Sequence, residues 1–365
     1  MLLTTLKLTN FKNYEGQEVE FSPRLNCLTG LNGTGKTNVL DALYFLCICR
    51  SHLGLNDRNL VRHDADFFRV EGRFELVEDK IRIVAKYKSG ERKEFERNGT
   101  LIERLSDHIG QFPVVMIAPD DVRLVQDGSE DRRRFLDGTL SQVFPEYLQN
   151  LLNYNALLKQ RNALLKSFFE HRQFDPILLE SIDRQMPEPA LNIFTIRNKF
   201  VEEFKPVFQE YYSAISGQRE EVDIEYQSDL SNEGLDSLLP KFLEKDRVLQ
   251  RTTQGPHKDD IILLMNDLPV KKFASQGQLK SYLLALRLAQ YEFLRKAIGK
   301  SPILLLDDIF DKLDENRVRQ LLNLLVERNF GQVFITDTQR SRIESVVSSF
   351  SGEYKIFEVE GGKVV

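Results

Sequence analysis

Gly30, Gly33, Gly35, Lys36 and Thr37, within Leu25 to Asp41 (LNCLTGLNGTGKTNVLD), satisfy G-x-x-x-x-G-K-[ST] in full. Glycines let the backbone curl until successive N–H groups converge on phosphate oxygens, where a side chain is expected to collide. Lys36 supplies a point charge to the β and γ phosphates of a nucleoside triphosphate, and the Thr37 hydroxyl suits a Mg²⁺ shell. Asn32 inside the loop and Asn38 just after it are counted with the nucleotide-binding residues. A chance match is disfavoured by context. Leu25–Thr29 reads as a short strand, and Val39, Leu43 and Leu46 recur at helical spacing. The helix expected to begin near Gly35 brings its positive N-terminal end to the same anion.

Two further stretches carry complementary chemistry. Ser301–Asp308 (SPILLLDD) is an apolar run ending in two carboxylates, as a buried parallel strand reads, and ligands gather at the C-terminal ends of such strands. Asp307 is expected to hold Mg²⁺ through water, and Asp308 to orient or deprotonate an attacking water. The alternative, two aspartates that merely end a strand, loses weight once a phosphate loop needs them. Ala274-Ser275-Gln276-Gly277-Gln278 precedes a helical stripe from Leu279 to Leu294, so Ser275, Gly277 and Gln278 form a second anion site at a helix start. One nucleotide satisfies both helix starts if the second belongs to another copy. The expectation is an ATP-bridged homodimer, with Ser275 of one subunit against the γ-phosphate held by Lys36 of the other.

These residues need elements to position them. Leu3–Leu8 and Gln17–Phe21 read as a hairpin packed beside the loop strand, with Lys12 in its polar connection either reaching the nucleotide or solvated at the turn. Phe68–Leu76 and Lys80–Tyr87 read as an antiparallel meander, and Phe112–Ala118 as a buried strand stopped by Pro119-Asp120-Asp121. From Val122 to about Ser213 the patterns are almost wholly helical, with no sustained heptad, and Val222–Tyr226 and Ile261–Met265 return to strand. Lys36 and Asp307 stand 271 positions apart, more than one compact βαβ series requires. The expected organisation is a head in two halves, residues 1–121 and 251–365, around a helical insertion at 122–250. Arg132-Arg133-Arg134 with Lys159, Arg161, Lys166 and Arg172 read either as a phosphate-facing surface or as a solvated helix face. Thr252 to Asp260 reads as a functional loop, its shape fixed by Gly255-Pro256.

Composition bounds the rest. With 365 residues, 41% hydrophobic and 29% charged, the chain fits a soluble globular protein, and a net charge of −5 makes any polyanion contact local. Three cysteines form neither a disulfide framework nor a paired zinc pattern. No signal-peptide pattern or membrane-span run is found, so no membrane partner is expected and the cytoplasm is the default location.

Together the phosphate loop, S-x-G-Q, LLLDD with Asp311-Lys312-Leu313-Asp314, and Phe334-Ile335-Thr336-Asp337-Thr338 resemble the ABC-type ATPase heads of SMC-like DNA-maintenance proteins. Within that group LKLTNFKNY, APDDVRLVQDGSEDRRRFLD, TQGPHKDD and SQGQLKSYLLALRLAQYEFL resemble landmarks of the RecF family, in its order and across essentially the whole chain. The resemblance implies an α/β head of mixed and parallel sheet flanked by helices, with an inserted compact helical lobe. It also implies a slow ATPase that dimerises on ATP and binds DNA, single-stranded and as gapped or junction duplex. Such an ATPase would help RecO- and RecR-type partners load recombinase at single-strand gaps. Gln276 stands where the family commonly has a basic residue, and Asp120 and Asp121 lie where a Q-loop glutamine is sought. A transporter ATPase subunit is disfavoured by the long insert and by the absence of a histidine after the switch strand. A P-loop phosphotransferase leaves the SQGQ helix without a role.

Overall fold

The computed structural model describes residues 1–76, 79–217, 220–310, 315–328, 330–348, 350 and 352–365. The chain divides into two compact units, one of Met1–Val122, Glu210–Arg219 and Gln276–Val365, the other of Arg123–Gln209 and Glu220–Ser275.

The first unit opens with strands β1 (Leu2–Phe11), β2 (Tyr14–Glu20) and β3 (Leu25–Thr29), followed by helix α1 (Lys36–Ile48). Strands β4 (Phe67–Glu75), β5 (Lys80–Lys88), β6 (Glu94–Arg97), β7 (Thr100–Leu101) and β8 (Val114–Ile117) complete its N-terminal portion. The second unit holds helices α2 (Arg123–Gln126), α3 (Ser129–Val143), α4 (Pro145–His171), α5 (Pro176–Asp183) and most of α6 (Pro187–Ser216). It continues with β9 (Val222–Gln227), α7 (Leu235–Lys241), α8 (Leu243–Leu249), β10 (Asp260–Met265), β11 (Leu268–Pro269) and α9 (Val270–Phe273). The chain returns to the first unit with α10 (Gln276–Ile298), β12 (Ile303–Leu306), α11 (Glu315–Glu327), β13 (Val333–Asp337), α12 (Arg340–Ser348), β14 (Tyr354–Glu360) and β15 (Lys363–Val364).

Two six-stranded sheets build the first unit, ordered β2-β1-β4-β5-β6-β7 and β15-β14-β3-β13-β12-β8. The former is antiparallel; in the latter β14, β3, β13, β12 and β8 run parallel. Helix α1 packs against strands of both sheets, which explains why Val39, Leu40, Leu43, Phe45, Leu46 and Cys47 are buried with no polar face between them. The N-terminal hairpin therefore belongs to the sheet opposite β3 rather than beside it. All three cysteines are free and buried, and burial pushes the Cys27 and Cys49 thiols up to about 12.

The second unit is not purely helical, because β9, β10 and β11 form an antiparallel sheet. Pairing of Ile261 with Tyr226 and Leu263 with Ile224 ties residues 260–265 to that unit. The expected boundary at residue 251 therefore moves to Ser275. Conversely, α6 enters the first unit at Glu210, where Arg328 pairs with the Glu210 carboxylate at 2.6 Å and the Tyr212 and Tyr282 rings lie 6.0 Å apart. Among the described residues no helix is long and apolar enough to cross a membrane.

Candidate nucleotide-binding site

Parallel pairing fixes the site. Register aligns Leu306 with Ile117 and Ile335, and Thr29 with Asp337, so β3, β13 and β12 end at one sheet edge. There the phosphate loop, Thr336 and Asp307 emerge together.

The loop glycines adopt φ values of 150° at Gly30, 79° at Gly33 and 118° at Gly35. A Cβ at Gly30 would stand 2.3 Å from the Val359 carbonyl oxygen, and one at Gly35 would stand 2.5 Å from Asn13 Nδ2. Gly33 meets open space. The first and last glycines are thus demanded by neighbouring protein as well as by backbone conformation, whereas Gly33 is demanded by its left-handed φ alone. The β1–β2 turn grips the loop: Asn13 Nδ2 donates to the Thr34 carbonyl at 2.8 Å and Tyr14 OH to the Gly35 carbonyl at 3.0 Å. Burial pushes the Tyr14 phenol well above its ordinary pKa, so it stays a donor. Asn38 donates to Asn13 Oδ1 at 2.7 Å, and Asn32 is exposed.

Lys36 is buried, its ammonium donating to the Gly30 and Leu31 carbonyls at 2.8 and 3.0 Å. Thr37 Oγ1 donates to the Asp307 carboxylate, 3.0 Å from either oxygen. Thr336 Oγ1 donates to Asp307 Oδ1 at 2.7 Å and accepts from the Asp308 N–H at 2.9 Å. Burial raises the Asp307 pKa and the neighbouring Asp308 adds to the shift, while the Thr336 and Thr37 hydroxyls and Lys36 oppose it. Asp308 follows with φ of 42°, a strained backbone for a side chain with a Cβ.

A hydroxyl and a carboxylate in contact at the edge of a phosphate loop are hard oxygen donors of the kind Mg²⁺ takes, the rest of its shell coming from phosphates and water. Among the described residues there is no cluster of three or more His, Cys, Asp or Glu for a self-contained protein cage. The donor set therefore fits a nucleotide-borne Mg²⁺.

Lys12 is not the solvated turn lysine that one sequence expectation allowed. Its ammonium lies 2.6 Å from the buried Asp41 carboxylate, which also accepts from Ser51 Oγ and the His52 N–H. It anchors the β1–β2 turn to α1 instead of standing solvated. Three arginines of the expected basic surface are paired within their own unit. Arg132 forks onto Asp260 at 2.7 and 2.9 Å, Arg134 pairs with Glu130 and Asp131, and Arg161 is buried against Asp183 and Asp246.

Helix α10 starts at Gln276, directly after Ser275, and Gln278 lies in its first turn. A Cβ at Gly277 would sit 3.2 Å from Arg317 Nη2, and Arg317 Nε donates to Ser281 Oγ at 2.6 Å. Gln276 and Lys280 border a cavity of about 420 Å³ together with Asp120, Asp121 and Asp307. Arg287 and the Ala118 N–H hold the Asp121 carboxylate, so that residue braces α10. The Asp311–Asp314 motif lies outside the described residues. Sequence reasoning missed Asn13, Tyr14 and Thr336 as participants. Their signal was proximity in the chain to Lys12 and to the switch strand, which no pattern of spacing converts into contacts.

The family described as RecF/RecN/SMC N terminal domain matches residues 2–363. A DNA replication and repair protein RecF from Phocaeicola vulgatus is 43% identical over 366 residues, covering 100% of this chain and 98% of the relative. The solved structure of the recombination mediator protein RecF-ATP in the RecFOR pathway superposes with a TM-score of 0.90 at 31% identity, covering 100% of this chain and 97% of that one. An Smc head bound to the C-winged helix domain of ScpA shares the fold at 15% identity and a TM-score of 0.59 over 100% of this chain and 97% of its own. Phosphate loop, paired strand ends and full-length similarity converge: the chain belongs to the RecF/RecN/SMC N-terminal domain family and, within it, to the RecF DNA replication and repair proteins.

Proposed function

We propose that this chain is an ATP-dependent DNA-repair switch that binds ATP with Mg²⁺, dimerises on it and hydrolyses it slowly in the cytoplasm. The contact between Thr37 Oγ1 and Asp307, at 3.0 Å across 270 residues of chain, carries the reading. It joins the end of the phosphate loop to the carboxylate that follows β12, as a triphosphate site requires. Lys36 leaves its two carbonyls for the β and γ phosphates, while Thr37 and Asp307 hold the metal. Asp308 orients the attacking water and takes its proton as the bond to the leaving ADP oxygen breaks. Ser275, Gly277 and Gln278 of a second copy close over the γ-phosphate, which makes ATP the bridge between subunits.

The substrate is DNA with a single-strand gap or junction, and RecO- and RecR-type mediators are the partners in recombinase loading. The relatives' description as DNA replication and repair proteins supports this over transport or small-molecule phosphotransfer. Size-exclusion chromatography with light scattering, with and without ATP and a gapped duplex, tests the reading. The expected result is a monomer that becomes a dimer with ATP and joins the DNA; a monomer under all conditions would overturn it.

A further inference from the structure

The Thr252–Asp260 loop of the second unit is braced by side chains from several of that unit's elements. Several of its inward groups are engaged. Arg161 bonds Thr252 Oγ1, Thr253 bonds the buried Asp246, His257 bonds Tyr154 OH and the Thr252 carbonyl, and Arg197 bonds the Pro256 carbonyl and Asp259. Gly255 has φ of 118° with Tyr154 OH 2.4 Å from where a Cβ would be, so nothing larger fits. A loop fixed this tightly displays its outward residues on a rigid mount.

Those outward residues are cations. The His257–Thr252 bond, 3.0 Å, closes the loop, and Arg251 and Lys258 flank its two ends, both exposed. The Arg251 N–H bonds the Asp246 carbonyl at 3.1 Å, which brings the C-terminal part of α8 alongside with exposed Lys245 one residue before Asp246. Arg133 donates to the Asp259 carbonyl at 2.7 Å, placing a fourth cation at the loop's end. The neighbouring carboxylates are spent elsewhere: Asp246 on Arg161, Asp259 on Arg197, Asp260 on Arg132. Among the described residues Lys245, Arg251 and Lys258 have no carboxylate at ion-pair distance. Burial and then Arg251 and Arg133 lower the Lys258 pKa, with Lys245 adding and Asp246 opposing, which reports a concentrated positive field. In a chain of net charge −5, such crowding is a local cost that an anion would relieve.

We propose that Arg251 and Lys258, flanked by Lys245 and Arg133, form a docking patch for the phosphodiester backbone of DNA on the second unit. Guanidinium forks and a lysine point charge suit phosphate oxygens; the exposed neighbours Val248 and Leu249 are aliphatic, and the Phe242 ring beside the patch has Lys245 Nζ over it at 5.7 Å. The patch reads backbone rather than sequence. This inference rests on the DNA-repair reading and deepens it.

The test uses the full chain with ATP and a labelled gapped duplex, titrated by anisotropy from about 50 to about 200 mM salt. Removing two phosphate contacts in Arg251→Gln/Lys258→Gln should lower the slope of log affinity against log salt by about 1.8. The charge-retaining pair Arg251→Lys/Lys258→Arg should restore the slope, and ATP affinity should be the same in all three proteins. An unchanged slope and affinity in the Gln pair, with wild-type protein binding DNA normally, would overturn the patch alone. Wild-type protein that binds no DNA would overturn both the patch and the DNA-repair reading. Displacement of DNA by polyglutamate as readily, charge for charge, as by unlabelled duplex would reassign the patch to acidic protein partners and overturn it as well.

Discussion

Asp307 is the residue on which the nucleotide site turns, since two hydroxyls converge on its carboxylate and one of them also accepts from the next backbone N–H. Thr336→Val keeps the shape of that side chain and deletes both bonds. Turnover should fall about ten-fold or more, because the carboxylate proposed to hold the metal and the strained Asp308 backbone lose their common tether. ATP affinity should change little, and phosphate-release and equilibrium-binding assays separate the two. Asp308→Asn should bind ATP, hydrolyse it poorly and accumulate dimer, as light scattering would detect; wild-type turnover would remove Asp308 from the catalytic role. That the phosphate loop and Asp307 meet was legible from residue type and spacing. Lys12 was not, because a lysine in a polar turn gives no sign that a buried carboxylate on the next helix awaits it.

At the scale of elements, apolar periodicity located β3, α1, β8, α10 and β12 closely, since each is buried on every side or along a stripe. Sheet membership was hidden, because a hairpin's pattern says which face is apolar and not which sheet it joins. Helix α10 brings its own expectation: Ser275→Arg should spare ATP binding by the monomer and block ATP-dependent dimerisation in sedimentation velocity. The 252–260 loop brings another. His257 is held neutral inside the unit, burial lowering its pKa to about 4 from 6.5. Between those values the unfolded chain binds more protons than the folded one, so stability is complete above about pH 6.5 and is lost as pH falls toward 4. The loss is at most about 3 kcal/mol. Urea unfolding near pH 7.5 and pH 5 should show a larger drop in wild-type protein than in His257→Gln.

For the whole molecule, the two units make separate calorimetric behaviour the expectation. The candidate nucleotide residues from Gly30 to Asn38, with Asp307 and Asp308, lie in the first unit. ATP with Mg²⁺ should therefore raise the first unit's unfolding transition by about 2.7 kcal/mol at a hundred-fold excess over Kd. Differential scanning calorimetry measures the shift. The separation of Lys36 from Asp307 announced an insertion. Its true limits escaped the sequence because a strand pairing and the last turns of α6, not composition, decide which unit claims residues 251–275 and 210–219. That division has a bearing on biosynthesis. The first unit is assembled from three separate stretches, and its central strand β3 lacks its partner β13 until residue 337 has been made. Residues 123–275 leave the ribosome well before that, so the inserted unit matures first and the emerging N-terminal third must wait with an open sheet edge. Chaperone dependence during translation should accordingly concentrate on the first 122 residues.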